Sequence, residues 1–513
     1  MLRRLQEKRV LRGFVSDQSQ NYKWWAFGAL AIGLFASVSD HGSVTVALPS
    51  IADHFGTDLP TSQWVVIGYA LTISALLMPM GRLSDIVGRK QIYVSGFVIF
   101  VIGAVAAGLS TSILMLILAK VFQGVGAAMT QGTSMAMIID AFRGEERGRA
   151  LGLQLGVVGT GGVAGPAIGG FLVGAFGWRS VFFVNVGLGL AATVAALIIL
   201  DGRRMARDGG RPGFDWIGAG LSTAAMVAFL LAMTSGHRIG WVSAPIMSAL
   251  VGVPALVGLF VWWELRCPAP LFDVRLFKSR LFTMGVSASF ISFVDMSSVR
   301  FLMPFYLQVV LGYSPTQVGL IIVPSAFCMI VMGPLSGRLS DRYGWRRFNV
   351  GGLMMSATGL FLLSQVTETS PLALVMGGMI LQSLGIGTFN APNNSSILST
   401  VDPAKYGVVS GFLNLVRNAG NVTSIALATA IVTVTMASMG FPPTLAAVEE
   451  GASAGVFQSF TSGLRVAYLA MGGLVTVGVV VSFMKGGKAE GLPAPTGFPL
   501  QAAETAPARE TGD

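Results

Sequence analysis

Two carboxylates stand where a charge is costly. Asp40 and Asp295 each lie well inside a long apolar stretch, and an ionisable group at the centre of a membrane-spanning helix costs about 2.5 to 3.5 kcal/mol or more, so it is a functional candidate by default. A carboxyl withheld from water takes up a proton more readily than a solvated one, so proton binding and release is the chemistry these acids could do. The alternative for each is a structural ion pair or a snorkelling contact. The cations to weigh against them are Lys120 and Arg300. Arg300 follows Asp295 by five residues, about 140° around a straight helix, which is a poor position for neutralising it.

Little other chemistry is on offer. Cys267 and Cys328 share no C-x-x-C spacing, and His41, His54 and His237 are scattered, so neither a disulfide framework nor a metal site is expected. No G-x-x-x-x-G-K-[ST] loop occurs, which removes the backbone cradle of ATP-driven pumps. The expectation is a chain that is not an enzyme, needs no cofactor and draws any energy for uphill work from an ion gradient or from a partner.

The elements that hold the acids must be membrane helices. Only 11% of the 513 residues are charged, against about 25% in an ordinary globular domain, and the mean hydropathy is +0.69. Apolar runs of about 20 residues, the length that crosses a bilayer, recur from end to end, and fourteen spans are expected. Counted by alternate loops, 28 of the 34 Lys and Arg fall on one side, two (Arg179 and Arg238) on the other, and four inside spans. The positive-inside rule then places both termini in the cytoplasm of a multi-pass cell-membrane protein. The net charge of +10 is a topology signal and no argument for nucleic acid.

The chain also repeats itself. Gly81-Arg82-Leu83-Ser84-Asp85 recurs as Gly337-Arg338-Leu339-Ser340-Asp341, 256 residues on. Gln123-Gly124-Val125-Gly126 has a weaker echo in Gln382-Ser383-Leu384-Gly385, and Asp40-x-x-Ser43-Val44 with Pro49 matches Asp295-x-x-Ser298-Val299 with Pro304. Parallel repeats with the site between them are how many secondary transporters are built. The offset amounts to about eight spans, six plus two. The expected organisation is a basic segment at 1–23, a six-span bundle at 24–200, a linker with two extra spans at 201–280, a second six-span bundle at 281–484, and a disordered tail at 485–513.

In these motifs the sequence resembles the fourteen-span drug:proton antiporters of the major facilitator superfamily. Gly81 through Asp85, with Gly88, Arg89 and Lys90, looks like the superfamily's loop between spans 2 and 3. Gly161, Gly165, Pro166, Gly169 and Gly170 look like the antiporter signature of span 5, and Lys120-x-x-Gln123-Gly124 is similar to the span 4 motif, with lysine in place of the usual arginine. The resemblance implies a major facilitator fold, all-α, of two six-helix bundles plus two extra central spans. It implies a latch at Gly81, Asp85, Gly88, Arg89 and Lys90, with a copy at Gly337, Asp341 and Arg342. Because Ile86 stands where the family usually has a basic residue, the first latch is expected to be the weaker. Gly161, Gly165 and Gly169 at spacing four, with Gly170 beside the last, suit close helix packing as well as gating.

The function implied is proton-coupled export of small amphipathic, cationic compounds by alternating access, as in multidrug efflux and antibiotic resistance, with Asp40, Asp295, Lys120 and Arg300 in coupling. Export of an endogenous, anionic metabolite is the alternative, favoured by Lys120 and Arg300. A non-transporting membrane sensor is a third reading. The expected partners are a small-molecule substrate, protons and the bilayer, with a monomer as the working unit.

Overall fold

A computed structural model describes residues 19–57, 59–142, 146–201, 213–240, 243–402, 405–441 and 454–485. The expected basic segment at 1–23, the linker stretch 202–212 and the tail fall largely outside these residues. Fourteen long helices run through the described chain: α1 (Ser19–Phe55), α2 (Trp64–Val87), α3 (Arg89–Gly108), α4 (Ile113–Ala141), α5 (Arg147–Phe176), α6 (Arg179–Ile199), α7 (Trp216–Ile239), α8 (Ala244–Glu264), α9 (Arg280–Phe305), α10 (Pro315–Tyr343), α11 (Trp345–Leu363), α12 (Leu372–Leu398), α13 (Tyr406–Ser438) and α14 (Ala454–Met484). Among the described residues, thirteen are long and apolar enough to cross a membrane. The exception is α11, which opens on Trp345-Arg346-Arg347.

The repeat is written in the packing. In the first six helices α1 packs on α5, α2 on α4, α3 on α4 and α6, and α1 on α6; the same pairs recur eight helices later as α9 on α13, α10 on α12, α11 on α12 and α14, and α9 on α14. Two bundles of six result. They meet through α2 against α13 and α5 against α10, which are the same contact exchanged between the halves. The extra helices α7 and α8 form a hairpin whose α7 leans on α2 and α13, with Thr223 Oγ1 donating to Ala75 O at 3.2 Å. Asp215 caps α7 at Gly218 N (2.8 Å) and accepts from Trp263 Nε1 at 3.0 Å, which ties the hairpin's two ends together.

The halves touch at the end that bears the Gly-Arg-Leu-Ser-Asp motifs, which lie in the last turns of α2 and α10 rather than in loops. Going inward from that end, Gly81 lies against Gly407, Gly411 against Leu77, and Asn418 Nδ2 bonds Ser74 Oγ at 3.0 Å. On α5, Gly152 lies against Gly333 and Gly159 against Met329. Thirteen residues separate Ser74 from Val87, so the closed zone is about 20 Å deep at 1.5 Å per residue. Glycine is needed where backbones meet: a Cβ at Gly81 would stand 2.5 Å from Gly407 O. Gly88 and Gly344, with φ of 118° and 86°, break the chain between α2 and α3 and between α10 and α11. They are another pair from the duplication.

Candidate functional site

Asp40 sits on α1 with no exposed surface. Lys120 Nζ from α4 bonds its Oδ2 at 2.7 Å, and Asn185 Nδ2 from α6 bonds its Oδ1 at 2.7 Å. Gln123, one turn after Lys120, accepts from Nζ at 2.8 Å and approaches Asp40 Oδ1 at 3.4 Å. The ammonium also lies over the Tyr69 ring of α2, 4.0 Å from its centroid. This is a buried ion pair with nearly every valence of both charges used. Taking both groups from water costs several kcal/mol per ion, which their mutual attraction and the added hydrogen bonds oppose.

The antiporter-like glycines set the height and angle of that acid. A Cβ at Gly161 would lie 3.2 Å from Val38 Cβ, one at Gly165 2.7 Å from Ser39 O, and one at Gly169 2.6 Å from Ser43 Cα. All three face the turns of α1 on either side of Asp40. Pro166 fits against Gly42, where a Cβ would meet its Cδ at 2.7 Å. Gly170 has looser surroundings, with Val46 Cγ1 at 3.8 Å from an added Cβ. Small residues at spacing four thus let α5 press on α1.

Asp295 on α9 is equally buried but differently partnered. Ser356 Oγ from α11 donates to its Oδ2, and Gln382 Nε2 from α12 donates to its Oδ1 at 3.0 Å. Among the described residues no lysine or arginine pairs with it. Gln123 and Gln382, which sequence reasoning used only as an echo of the repeat, are the amides that reach the acid in each half. The residue one turn before Gln382 is Met379, in the place of Lys120. Ser43 and Ser298 each return a hydroxyl to the carbonyl of their own acid, at 3.1 and 2.8 Å.

Arg300 does not join Asp295. It is exposed in the last third of α9, makes no hydrogen bond or ion pair among the described residues, and reaches the other half, where its Nη2 lies 3.1 Å from the position of a Cβ on Gly162. His41, next to Asp40, is also exposed and stacks on Tyr69 with centroids 6.4 Å apart. Nearer the loops, Gln131 of α4 is a crossing point: it donates to Ser37 Oγ at 2.8 Å and accepts from Asn414 and Arg417 of α13 at 3.2 and 3.5 Å.

The residues of the first expected latch come together. Asp85 accepts from Arg89 Nη2 at 2.8 Å and Nε at 3.1 Å, and from the backbone N–H of Gly407 and Val408 at 3.2 and 3.0 Å. A carboxylate of the first half therefore rests on the N-terminus of α13 in the second, where exposed backbone donors and the helix dipole favour negative charge. Arg89 also holds Asp140 at the end of α4. The copy differs in burial: Asp341 and Arg342 are exposed, while Asp85 and Arg89 each keep only 4% of their side-chain surface. The bonding at Asp85 is done by Arg89, four residues along, and by backbone, and Ile86 is not among its partners. Lys90 serves elsewhere, its Nζ on the last carbonyls of α6, those of Leu197 and Leu200. Gly337 is buried one turn before Asp341.

Comparison with known proteins follows the same lines. The chain matches the Major Facilitator Superfamily over residues 30–425 and 285–504. It is 32% identical over 410 residues to the riboflavin transporter RibZ of Clostridioides difficile, covering 80% of this chain and 87% of that one. It is 32% identical over 400 residues to the multidrug resistance protein Stp of Mycobacterium tuberculosis, covering 78% and 74%. The solved structure of the proton:xylose symporter XylE superposes with a TM-score of 0.61 at 13% identity, over 90% of this chain and 95% of that one, and shows the fold alone.

Proposed function

Since the chain belongs to the Major Facilitator Superfamily and is a multi-pass membrane transporter, we propose that it is a proton-coupled exporter of small amphipathic compounds, working by alternating access as a monomer in the cell membrane with both termini in the cytoplasm. The observation that carries this reading is Asp295. It is a fully buried acid held by a hydroxyl and an amide, groups that bond a carboxyl in either protonation state. Proton uptake there breaks no ion pair. Asp40 is different, because a proton on it must displace Lys120. In this arrangement Asp295 carries the coupling proton and the Asp40–Lys120 pair holds α1, α4 and α6 in register.

The closed zone around Asp85 and Gly407 supports an outward-facing state with the cytoplasmic side sealed. Relatives named for riboflavin transport and multidrug resistance fit a site that takes aromatic or amphipathic molecules. The test uses proteoliposomes of the purified protein with riboflavin, rhodamine 6G and fluorescein. Asp295→Asn should lower pH-driven efflux at least tenfold while gradient-free exchange of the same compound persists. Undiminished pH-driven efflux in that variant would remove Asp295 from the coupling step.

A further inference from the structure

The charge offered to the space between the bundles is positive. Asp40 and Asp295, the acids that a cationic substrate would seek, are both wholly buried, and Asp40 is already paired. Arg300 is the opposite case. Its side chain is exposed, it lies within the apolar span Arg280–Val310, and its guanidinium has no hydrogen-bond or ion partner among the described residues. It does not face lipid, because it reaches across to Gly162 of the facing bundle. Exposed His41 adds a second cationic or neutral group to the same space, and Arg417 stands below at Gln131.

A guanidinium held inside a membrane protein is stable when an anion or backbone carbonyls meet it, and its planar fork matches a carboxylate in two parallel hydrogen bonds. Gly162 keeps the opposite wall free of a side chain just where the fork points. We propose that Arg300 anchors the substrate, and that the substrate class is an amphipathic organic anion, with a carboxylate or similar planar anionic group on an apolar body. This rests on the transporter reading and names the site's preference within it, in place of the cationic compounds that the resemblance implied. The N–H donors of Arg300 bind the anion, and Asp295, on another face of α9, is left to the proton.

The experiment is equilibrium binding to the purified full-length protein in detergent, with no gradient, read by fluorescence anisotropy. The probes are fluorescein and rhodamine 6G, xanthene dyes of similar size and opposite charge. Wild type should bind fluorescein at least tenfold more tightly than rhodamine 6G. Arg300→Gln should lose that tenfold preference, and Arg300→Lys, which keeps the charge without the fork, should retain part of it. Thermal melts identify any variant that fails to fold, and the wild-type preference is read without a variant. Rhodamine 6G bound as tightly as fluorescein by the wild type, no fluorescein binding, or unchanged fluorescein affinity in folded Arg300→Gln overturns the proposal. Since no proton gradient is present, such a result leaves the coupling role of Asp295 standing, and loss of coupling in Asp295→Asn leaves this one standing.

Discussion

Around Asp40, α4 and α6 supply a lysine, a glutamine and an asparagine, whereas around Asp295, α11 and α12 supply only a serine and a glutamine. The two sites descend from one pattern, and much of the divergence lies at one position, where Lys120 precedes Gln123 by a turn and Met379 precedes Gln382 by a turn. Duplication has given the same acid two uses. In the proposed division of labour, the acid with a cation beside it pins helices, and the acid with a methionine there carries the proton.

The largest effect expected from breaking that difference is on stability. Asp40→Asn strands the Lys120 ammonium in a dry site, and removing one partner of a buried pair costs about 3 to 5 kcal/mol. Asp40→Asn combined with Lys120→Met, which imitates the second half, should recover most of that loss. Asp295→Asn should cost far less, because no charge is left alone. Thermal unfolding in detergent measures all three, and equal destabilisation by Asp40→Asn and Asp295→Asn would erase the proposed division of labour.

The converse change places the first half's chemistry in the second. Met379→Lys puts an ammonium one turn from Gln382 on α12, and a cation within hydrogen-bond range favours the ionised carboxylate by about 1 to 3 pKa units. With Asp295 held charged, pH-driven efflux should fall roughly a hundredfold, while the protein melts near the wild-type temperature. Retained coupling in a folded Met379→Lys would show that the proton is carried elsewhere.

The latches differ in the same direction. Asp85 bonds Arg89 and two backbone N–H groups of the opposite half, and hydrogen bonds to a charged group are worth about 1.5 to 3 kcal/mol. Asp85→Asn should therefore shift the balance between access states by about 2 kcal/mol, near thirtyfold, toward opening at the loop end. Asp341→Asn, at an exposed side chain, should shift it less. Spin-label distances between the loop ends of α2 and α13 report the populations. A larger response to Asp341→Asn would support the ranking that Ile86 suggested.

How much of this could be read beforehand follows from the kind of signal involved. Helix number and the eight-helix repeat were legible because apolar runs of membrane length and the recurrent Gly-Arg-Leu-Ser-Asp and Asp-x-x-Ser-Val patterns are local in sequence. Asp40 and Asp295 stood out because acids are rare in such runs. Their partners did not: Ser356 and Asn185 are ordinary residues whose importance comes from lying 61 and 145 positions away from an acid in the chain yet within hydrogen-bond range. Asp140 was missed for the same reason, lying 51 residues from Arg89. The glutamines could have been found, since Gln123 and Gln382 already marked the repeat at nearly the offset of the acids. The contact of Asp85 with the other half was not legible, because half of its partners are backbone N–H groups that any sequence supplies.

The last contrast concerns how each bundle ends. In the first, Lys90 of α3 closes the carbonyl end of α6. In the second, Lys485, just past α14, turns inward: it is 4% exposed, donates to Asn393 Oδ1 at 2.7 Å and Ser396 Oγ at 2.5 Å, and lies 5.0 Å from the centroid of the Trp345 ring. Asn349 faces it only through Asn393, and no carboxylate bonds it among the described residues. Burial pushes the Lys485 amine down to about 7, below the value near 10.4 of a solvated lysine. Between those values the unfolded chain binds the extra proton, so stability rises with pH from about 7 upward and levels off above about 10. Below the folded value both states are protonated and the slope vanishes. From pH 6 to pH 8 the gain from this one group is about 1.4 kcal/mol. Lys485→Gln should flatten that part of the profile and leave the protein at pH 6 more stable than wild type, since the cost of burying a charge is gone. Thermal melts across pH 6 to 8 measure the slope; an unchanged slope in Lys485→Gln would mean that the ammonium keeps its proton in the folded state through contacts stronger than Asn393 and Ser396 provide.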